Sequence, residues 1–560
     1  MRNGHKKRYL GALTGALLLV GAAGFGLYLD AGQPKADTKN RLIGQHSLSE
    51  GRVVSGRDTG SGNAIATDSR LTYESPKLAT GLPKANAVAV NWTQTGKGDA
   101  QLEVRTNDGK GWSGWSMLEG DDLKDGAPEQ SAMLLTANAH QTQYRFRLRA
   151  KDGTLRVSKP KVFAIDATTG PDPAKHSLIS RIFGDTAAAV SAPRIYSRSE
   201  WGSSQPNSSP KWTPRYWKLR RAMVHHTVSN ATTSFSGSAA NVRAIWYQHA
   251  INNRWGDIGY NYLVDQRGRI FQGRYYSKPY SAAWRKEVEG GHTYRYNDYS
   301  IGIAALGNFQ RTGPSSALLE NIGKIAGFRI AKYGLGGTAM YRDEKGRSQY
   351  RVAGHRNYTS TACPGYNLYR RMPTIRKRAQ AYRNVYIKKY TYDYGFVSKG
   401  VNSSPGSSSL ALDSGQTGTL YITLKNIGWA TWKNTGKPRV HLGTDRPRDR
   451  VSVFADDTWV TRNRPMTFDN QSVGGYDGNV ATVQPGESAH FSFQVTAPNQ
   501  AGTWKEYFRP VADWGGGWFY RDLAINWTLT VNAGPSSLSS PMPSPSSAVL
   551  PASPTASPGL

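Results

Sequence analysis

The hydrophobic period of the chain changes twice along its 560 residues, and these changes constrain the fold more than any other feature. Residues 82–168 alternate apolar and polar side chains, residues 194–395 mix strand and helix patterns, and residues 407–533 return to short strands. Alternation predicts antiparallel β domains, whereas a succession of strands and helices predicts a mixed sheet flanked by helices. We therefore expect a multidomain protein in which an α/β domain lies between an N-terminal small β-sandwich and a C-terminal immunoglobulin-like β-sandwich.

Segments rich in glycine, proline, serine or alanine separate the predicted domains. Residues 31–81 are polar without a sustained period and are expected to form a spacer, while 169–193 and 396–406 are expected to be linkers. Residues 534–560 contain no charged side chain and much proline, serine and alanine, which predicts a disordered tail. The predicted boundaries are 1–30, 31–81, 82–168, 169–193, 194–395, 396–406, 407–533 and 534–560.

The N-terminus has the features of an export signal. The basic residues Arg2, Lys6, Lys7 and Arg8 precede an uncharged stretch at 10–29, which is just long enough to span a bilayer. This stretch is either a signal anchor that stays in the membrane or a signal peptide that is removed. Because the basic side stays in the cytoplasm, the body of the protein is expected to be extracytoplasmic, either membrane-anchored or secreted.

The chain contains a single cysteine, Cys363, so an intramolecular disulfide is impossible. In an exported protein such a residue needs another role, and metal ligation and nucleophilic catalysis are the two candidates. Cys363 follows His355 by eight positions, and His225 lies further upstream. Two imidazoles and one thiolate would give zinc three ligands and leave a fourth position for water, which is the arrangement of catalytic zinc sites.

Six short motifs of the middle segment occur in the order found in one known family. They are RSEWG at 198–202, VHHT at 224–227, GDIGYNYLVD at 256–265, GRIFQGR at 268–274, SIGI at 300–303 and HRNYTSTACPG at 355–365. Together they resemble the peptidoglycan recognition proteins and the related zinc N-acetylmuramoyl-L-alanine amidases. The resemblance implies the α/β amidase fold and one zinc ion per chain.

The family pattern, carried over position by position, implies that His225, His355 and Cys363 bind the zinc ion. His226 is expected to be a neighbour of the site and not a ligand. Successive strand residues point to opposite faces, so both imidazoles cannot line one site while the strand stays regular.

Five further positions match residues that act on the substrate in the family. Tyr260 matches the active-site tyrosine, whose hydroxyl contacts the zinc-bound water or the developing oxyanion. Thr361 stands where phage-type amidases carry lysine, and its hydroxyl can donate a hydrogen bond to the oxyanion but brings no charge. Arg274, His292 and Asn308 match positions near the substrate groove, where Arg274 would suit a stem-peptide carboxylate.

The resemblance implies a hydrolase that cuts the lactyl-amide bond between N-acetylmuramic acid and L-alanine in peptidoglycan. Many family members bind peptidoglycan without cutting it and commonly lack the cysteine ligand, so Cys363 favours an enzyme. A non-catalytic peptidoglycan receptor or wall tether is the alternative, and a surface adhesin is a third possibility. Because every proposed zinc residue lies inside it, the isolated segment 190–395 is expected to cleave small muropeptides without the flanking domains.

Both flanking segments also carry tryptophan motifs with family resemblances. GWSGW at 111–115 resembles a β module that precedes the catalytic domain in some actinobacterial peptidoglycan recognition proteins. NIGWATW at 426–432, PGE at 485–487 and GTW at 502–504 resemble the tryptophan-rich immunoglobulin-like domains of secreted bacterial enzymes. The second resemblance implies binding or spacing and no chemistry.

The chain is strongly basic, with 71 Lys and Arg against 39 Asp and Glu and a formal net charge of +32. Outside a bacterial membrane the available polyanions are anionic wall polymers and peptidoglycan itself, which are the expected partners. A solvated surface that only confers solubility is the alternative. Nucleic acid is not an expected partner, because the export segment opposes it and no recognised binding motif occurs.

Overall fold

The computed structural model describes residues 39–45, 52–55, 64–67, 70–118, 120, 129–170, 192–203, 213–229, 232–275, 286–468 and 481–533. The predicted membrane segment at 10–29 and the predicted tail at 534–560 lie outside these ranges. The chain divides into two compact units. The first contains the described residues up to Asp393 together with Ile427–Ala430, and the second contains the described residues that remain.

The first unit begins with nine antiparallel strands joined in one hydrogen-bonded sheet. They are β1 (Lys39–Gln45), β2 (Arg52–Ser55), β3 (Ala64–Thr67), β4 (Arg70–Glu74), β5 (Leu78–Ala79), β6 (Ala85–Asn107), β7 (Ser116–Leu118), β8 (Glu129–Ala139) and β9 (Gln141–Asp166). The order β2-β4-β9-β6-β7 forms the main path, with β1, β3 and β5 also on β9 and β8 on β6. We call this assembly the N-terminal sheet.

The predicted N-terminal β-sandwich stays a prediction, because the two longest strands join all the others into one hydrogen-bonded sheet. Strands β6 and β9 have 23 and 26 residues and pair along most of their length, so all nine strands belong to one sheet. Gly96 allows their close approach. Its φ is +91°, and a Cβ there would lie 1.8 Å from the carbonyl oxygen of Thr154.

The sequence predicts a spacer at 31–81, whereas the structure places β1 to β5 in this segment. Four of these strands pair with β9, and β2 pairs with β4. Their alternation is too short to stand out from the sequence: in β4 only Leu71 and Tyr73 supply the buried period, at 3% and 2% exposure. These strands are held by pairing with a long neighbour rather than by a strong pattern of their own.

The middle part of the first unit is an α/β domain with a six-stranded mixed sheet, which confirms the predicted mixed sheet flanked by helices. Its strands are β10 (Ile195–Tyr196), β12 (Arg221–His226), β13 (Tyr262–Val264), β14 (Ile270–Gln272), β16 (Ser300–Ala305) and β19 (Val352–Gly354), in the order β10-β14-β13-β16-β12-β19. Only β13 and β14 pair antiparallel. Two small ribbons accompany this sheet, β11 (Tyr216–Trp217) with β15 (Glu287–Val288) and β17 (Met340–Arg342) with β18 (Ser348–Tyr350).

Helices cover the central strands of the mixed sheet. They are α1 (Arg198–Trp201), α2 (Phe235–Tyr247), α3 (Ser316–Ala331), α4 (Tyr366–Tyr369) and α5 (Met372–Tyr390). Apolar residues of α3 and α5 share one buried cluster with Val224 and Ile303, while Val242 and Ile245 of α2 share another with Ala304. Strands β12 and β16 are therefore buried on both faces, as is typical of parallel strands.

The second unit is built of short strands. They are β20 (Tyr394–Val401), β21 (Ser404–Pro405), β22 (Ser409–Asp413), β23 (Thr417–Asn426), β24 (Trp432–Lys433), β25 (Arg439–Asp445), β26 (Met466–Thr467), β27 (Thr482–Val483), β28 (Ser488–Thr496), β29 (Gly502–Asp513), β30 (Gly517–Trp518) and β31 (Asn526–Asn532). Its two larger sheets run β21-β20-β23-β28 and β22-β31-β29-β25-β26. Phe493 of β28 contacts Phe508 and Trp527 of the other sheet, with ring centroids 5.2 and 6.1 Å apart. The immunoglobulin-like topology stays a prediction.

Within the described ranges, no helix combines the length and the apolar character needed to cross a membrane.

Candidate metal site and its pocket

The site is built at the end of β12, the strand between β16 and β19. His225 is the fifth residue of this strand and His226 is the last, so their side chains point to opposite faces. His225 is 1% exposed, and its Nδ1 lies 3.7 Å from the Sγ of Cys363. On the other face, the Nδ1 of His226 accepts a hydrogen bond from the backbone N–H of Phe309 at 3.2 Å.

His355 and Cys363 come from the segment that follows β19. His355 opens a 3-10 turn, His355–Asn357, directly after Gly354. The chain then returns, because the backbone N–H of Arg356 donates to the carbonyl oxygen of Cys363 at 3.0 Å. One ligand atom from each of His225, His355 and Cys363 lies within 4.8 Å of the others, and all three residues are buried.

This donor set fits a zinc ion. With the usual zinc–sulfur and zinc–nitrogen bonds, tetrahedral geometry places a thiolate and an imidazole nitrogen about 3.6 Å apart. The observed separation between Cys363 Sγ and His225 Nδ1 is 3.7 Å. The backbone N–H of His226 also points at Cys363 Sγ, at 3.4 Å, and would stabilise a thiolate there.

His292 supports His225 from behind. Ser300 Oγ lies 2.7 Å from the carbonyl oxygen of Tyr296, to which it donates, so it accepts from the Nε2–H of His292 at 3.3 Å. His292 Nδ1 is then an acceptor, and it receives the Nε2–H of His225 at 3.1 Å. This assignment of protons leaves the lone pair of His225 Nδ1 directed at the cluster, as metal ligation requires.

Glycines make room for this arrangement, and burial keeps the two imidazoles neutral. A Cβ at Gly290 or Gly302 would lie 2.4 or 2.5 Å from the ring of His292, so the absence of a side chain at both glycines leaves the space that the ring occupies. Burial, followed by the neighbouring imidazole of His355, lowers the pKa of both His225 and His292 well below the ordinary histidine value. Neutral imidazoles are the form that binds metals.

Tyr260 and Thr361 line the same pocket as the three proposed ligands. The ring of Tyr260 lies 5.4 Å from that of His225, centroid to centroid, and its side chain is half-buried. The hydroxyl of Thr361 accepts a hydrogen bond from the backbone N–H of Cys363 at 3.1 Å, which holds it beside the cysteine.

The three residues predicted at the substrate groove occupy different places. His292 lines the pocket but contacts His225, as described above. Arg274 is buried outside the pocket lining, where it donates to the carbonyl oxygen of Ile258 at 3.4 Å and burial lowers its pKa to about 10. Asn308 also lies outside the lining, and its side-chain oxygen accepts from the backbone N–H of Gln310 at 3.2 Å. Motif position alone cannot separate residues that touch a pocket from those that support its walls.

The structure adds pocket residues that the sequence analysis did not single out. The rings of His249 and Trp255 are tilted by 39° with centroids 4.6 Å apart, and both residues line the pocket beside Tyr260. His249 lies in a π-helical turn, Gln248–Asn252, that follows α2, and such turns often occur at functional sites. The only signal in the sequence was that His249 continues the helical spacing of α2, which indicates burial and not chemistry. Met133 of the N-terminal sheet lines the pocket as well.

The family model described as N-acetylmuramoyl-L-alanine amidase matches residues 216–366. Peptidoglycan-recognition protein SC2 of Drosophila simulans is 32% identical over 188 residues, which are 34% of this chain and 89% of that protein. The chain belongs to the peptidoglycan-recognition protein and N-acetylmuramoyl-L-alanine amidase family. This confirms the resemblance of the middle segment.

Other members of the family match a similar share of the chain. The N-acetylmuramoyl-L-alanine amidase of Mus musculus is 31% identical over 193 residues, which are 34% of this chain but only 32% of the mouse protein. A solved structure of the Drosophila recognition protein LB is 25% identical and covers 32% of this chain and 94% of its own, with a TM-score of 0.26. The residues matched by the family model, 216–366, lie within the α/β domain.

Proposed function

We propose that the protein is a zinc-dependent N-acetylmuramoyl-L-alanine amidase. It would hydrolyse the lactyl-amide bond between N-acetylmuramic acid and L-alanine in peptidoglycan. The observation that carries this proposal is the convergence of His225, His355 and the only cysteine of the chain within 4.8 Å, inside the domain of the amidase family. A receptor that only binds peptidoglycan would not need this donor set.

The residues of the pocket have separate roles in this proposal. His225, His355 and Cys363 would hold one zinc ion, which when bound activates water and polarises the amide carbonyl. Tyr260 would donate a hydrogen bond to the oxygen that becomes negatively charged, and Thr361 would do the same from beside Cys363. Both donors are fixed before the reaction, since Thr361 is held by a backbone N–H and Tyr260 packs against the buried cluster of α2.

In this scheme His292 orients the proposed zinc ligand His225 and does not contact the substrate. Its acceptor nitrogen selects the tautomer of His225 in which Nδ1 can bind metal. The residues proposed at the groove, Arg274 and Asn308, would support its walls. Arg274 does so through Ile258 and its buried charge, which Asp257 and Glu289 partly offset.

The same proposal fixes the partners and the compartment. Peptidoglycan lies outside the cytoplasmic membrane, so the enzyme would work there, anchored through residues 10–29 or secreted to the cell wall. The net charge of +32 would favour binding to anionic wall polymers. Such binding should weaken steeply as salt rises, since the Debye length is about 10 Å at 0.1 M.

Metal content and product mass test the proposal together. The purified protein should hold about one zinc ion per chain, and the Cys363→Ser and His355→Ala variants should each lose both zinc and turnover. His226→Ala is the matched control, because it removes a neighbouring imidazole that faces the opposite side of β12, and it should keep the metal. Tyr260→Phe should keep zinc and lose turnover by about 10²-fold.

Mass spectrometry of defined muropeptides then identifies the bond that is cut. Free N-acetylmuramic acid together with an intact stem peptide is the expected product pair. If the purified wild-type protein binds muropeptides but holds no zinc, or if its turnover is no higher than that of Cys363→Ser, the protein is instead a receptor or wall tether. Loss of zinc in His226→Ala and retention in His225→Ala would overturn the ligand assignment.

A further inference from the structure

The N-terminal sheet is continuous with the wall of the metal-site pocket. Strand β8 alternates, so Ala132 and Leu134 face the core of the sheet while Met133 and Leu135 face the other way. On that outer face, Leu135 shares a buried apolar cluster with Val242 and Ile245 of α2, and Met133 packs against the same cluster. Met133 and Ile245 both line the pocket.

The chain just after the ligand strand is tied to this sheet. Leu135 and Ser229 form a parallel β-bridge, so β8 and the segment that follows His226 are joined through their backbones. Val228 has a φ of +47°, an unusual conformation for a β-branched residue. Its side chain is 8% exposed and belongs to the core cluster of the N-terminal sheet, which therefore holds the residue in this conformation.

Arg243 forms a third link between the N-terminal sheet and the α/β domain. Arg243 of α2 is 2% exposed, and its guanidinium donates to the carbonyl oxygens of Ala167 and Trp201 at 2.8 and 2.6 Å. It also donates to the carbonyl oxygen of Thr168 at 3.2 Å. A single cation thus joins the end of β9 to the α/β domain. The sheet that carries Met133 is therefore linked to the α/β domain by apolar packing, a backbone bridge and the hydrogen bonds of Arg243.

We propose that Met133 is a specificity-determining residue of the pocket, where its side chain contacts a methyl group beside the amide that is cut. This rests on the proposed function. The lactyl-amide bond lies between two methyl-bearing carbons, one in the lactyl group and one in L-alanine. Met133, Val228 and Ile245 supply apolar surface to a pocket whose other lining residues include the polar ligand cluster. An apolar wall beside the metal site suits a methyl group, and a flexible thioether adapts well to its shape.

The test compares substrates that differ by one methyl group. One muropeptide carries glycine in place of L-alanine, another lacks the lactyl methyl, and the natural muropeptide is the reference. Removing a buried methyl should weaken binding to the wild-type protein about 4- to 10-fold for at least one of the two analogues. Dissociation constants are measured on metal-depleted protein, and kcat and KM are measured on zinc-loaded protein.

Substitution of Met133 should remove this discrimination. In Met133→Ala the natural muropeptide should bind more weakly, and its affinity should differ from that of the analogue by about 2-fold or less, with the change in KM and not in kcat. Met133→Leu should keep most of the preference, because it conserves volume. Met117→Ala, on β7 of the same sheet and outside the pocket lining, should behave as wild type.

The outcomes separate the two proposals. Discrimination in Met133→Ala equal to that of the wild type overturns the role of Met133 and leaves the amidase proposal intact. Failure of the wild-type protein to discriminate against either analogue overturns it as well. Methyl-dependent binding without turnover of any muropeptide would refute the amidase function while supporting the Met133 contact.

Discussion

The N-terminal sheet and the C-terminal β unit look similar in sequence but differ in what their strands pack against. In β28 buried and exposed positions alternate along the strand, so one face is core and the other meets solvent. At the start of β6 all six residues from Ala85 to Val90 are buried, so both faces are covered. Ala87 faces the cluster of α2, while Val88 and Val90 face the core of the sheet. The N-terminal sheet therefore belongs to the same compact unit as the α/β domain and its metal-site cluster, whereas the C-terminal strands form a second unit.

Truncation at the two ends of the chain should have opposite effects on the first unit. A chain that begins at residue 192 would expose the apolar face of α2 and lose two acceptors of Arg243, so we expect it to aggregate or unfold and to lose zinc. A chain that ends at residue 393 keeps the clusters of the N-terminal sheet and the α/β domain and loses Trp429 from one small cluster. It should retain zinc and cleave small muropeptides.

Thermal unfolding, zinc content and muropeptide turnover of both truncated chains provide the measurement. This expectation replaces the one drawn from the sequence, in which the segment 190–395 suffices. Equal stability and turnover of the two truncated chains would mean that the N-terminal sheet is an appended module like the C-terminal unit.

Substitution of Arg243, which joins the N-terminal sheet to the α/β domain, should have a smaller effect on stability than truncation. Arg243→Gln leaves buried carbonyl oxygens without their donor, and it should lower the free energy of unfolding of the first unit by about 2–4 kcal/mol. Urea denaturation monitored by hydrogen exchange can assign the loss of stability to the first unit. The transition of the C-terminal unit should not move.

Arg267→Gln is the control for Arg243→Gln, because it removes the same charge from an exposed position of the same domain. Its effect should stay within about 0.5 kcal/mol. An effect of Arg243→Gln no larger than this would show that the guanidinium does not hold the two parts together.

The predictable part of this molecule is the part whose chemistry depends on residue type and order. Cys363, His355 and His225 could be grouped because a lone cysteine and ordered motifs restrict the choices, and the mixed sheet follows from its apolar strands. The sequence places His292 near the substrate groove, but it does not reveal which imidazole nitrogen meets which partner, so its contact with His225 could not be predicted. No local sequence pattern distinguishes Met133, because its proposed role depends on the contact between β8 and the α/β domain, which are distant in the sequence. The run of mostly small residues at the start of β6 indicates a strand that is buried on both faces, and a search for alternation alone does not detect it.

Methyl NMR of methionine can show whether the N-terminal sheet forms part of the proposed substrate pocket. The chain has eight methionines, and Met133, Met117 and Met466 report on the pocket, on the rest of the N-terminal sheet and on the C-terminal unit. Adding muropeptide to metal-depleted protein should shift the methyl resonance of Met133 and leave those of Met117 and Met466 in place. A shift at Met466 with none at Met133 would show that the muropeptide does not bind beside the N-terminal sheet.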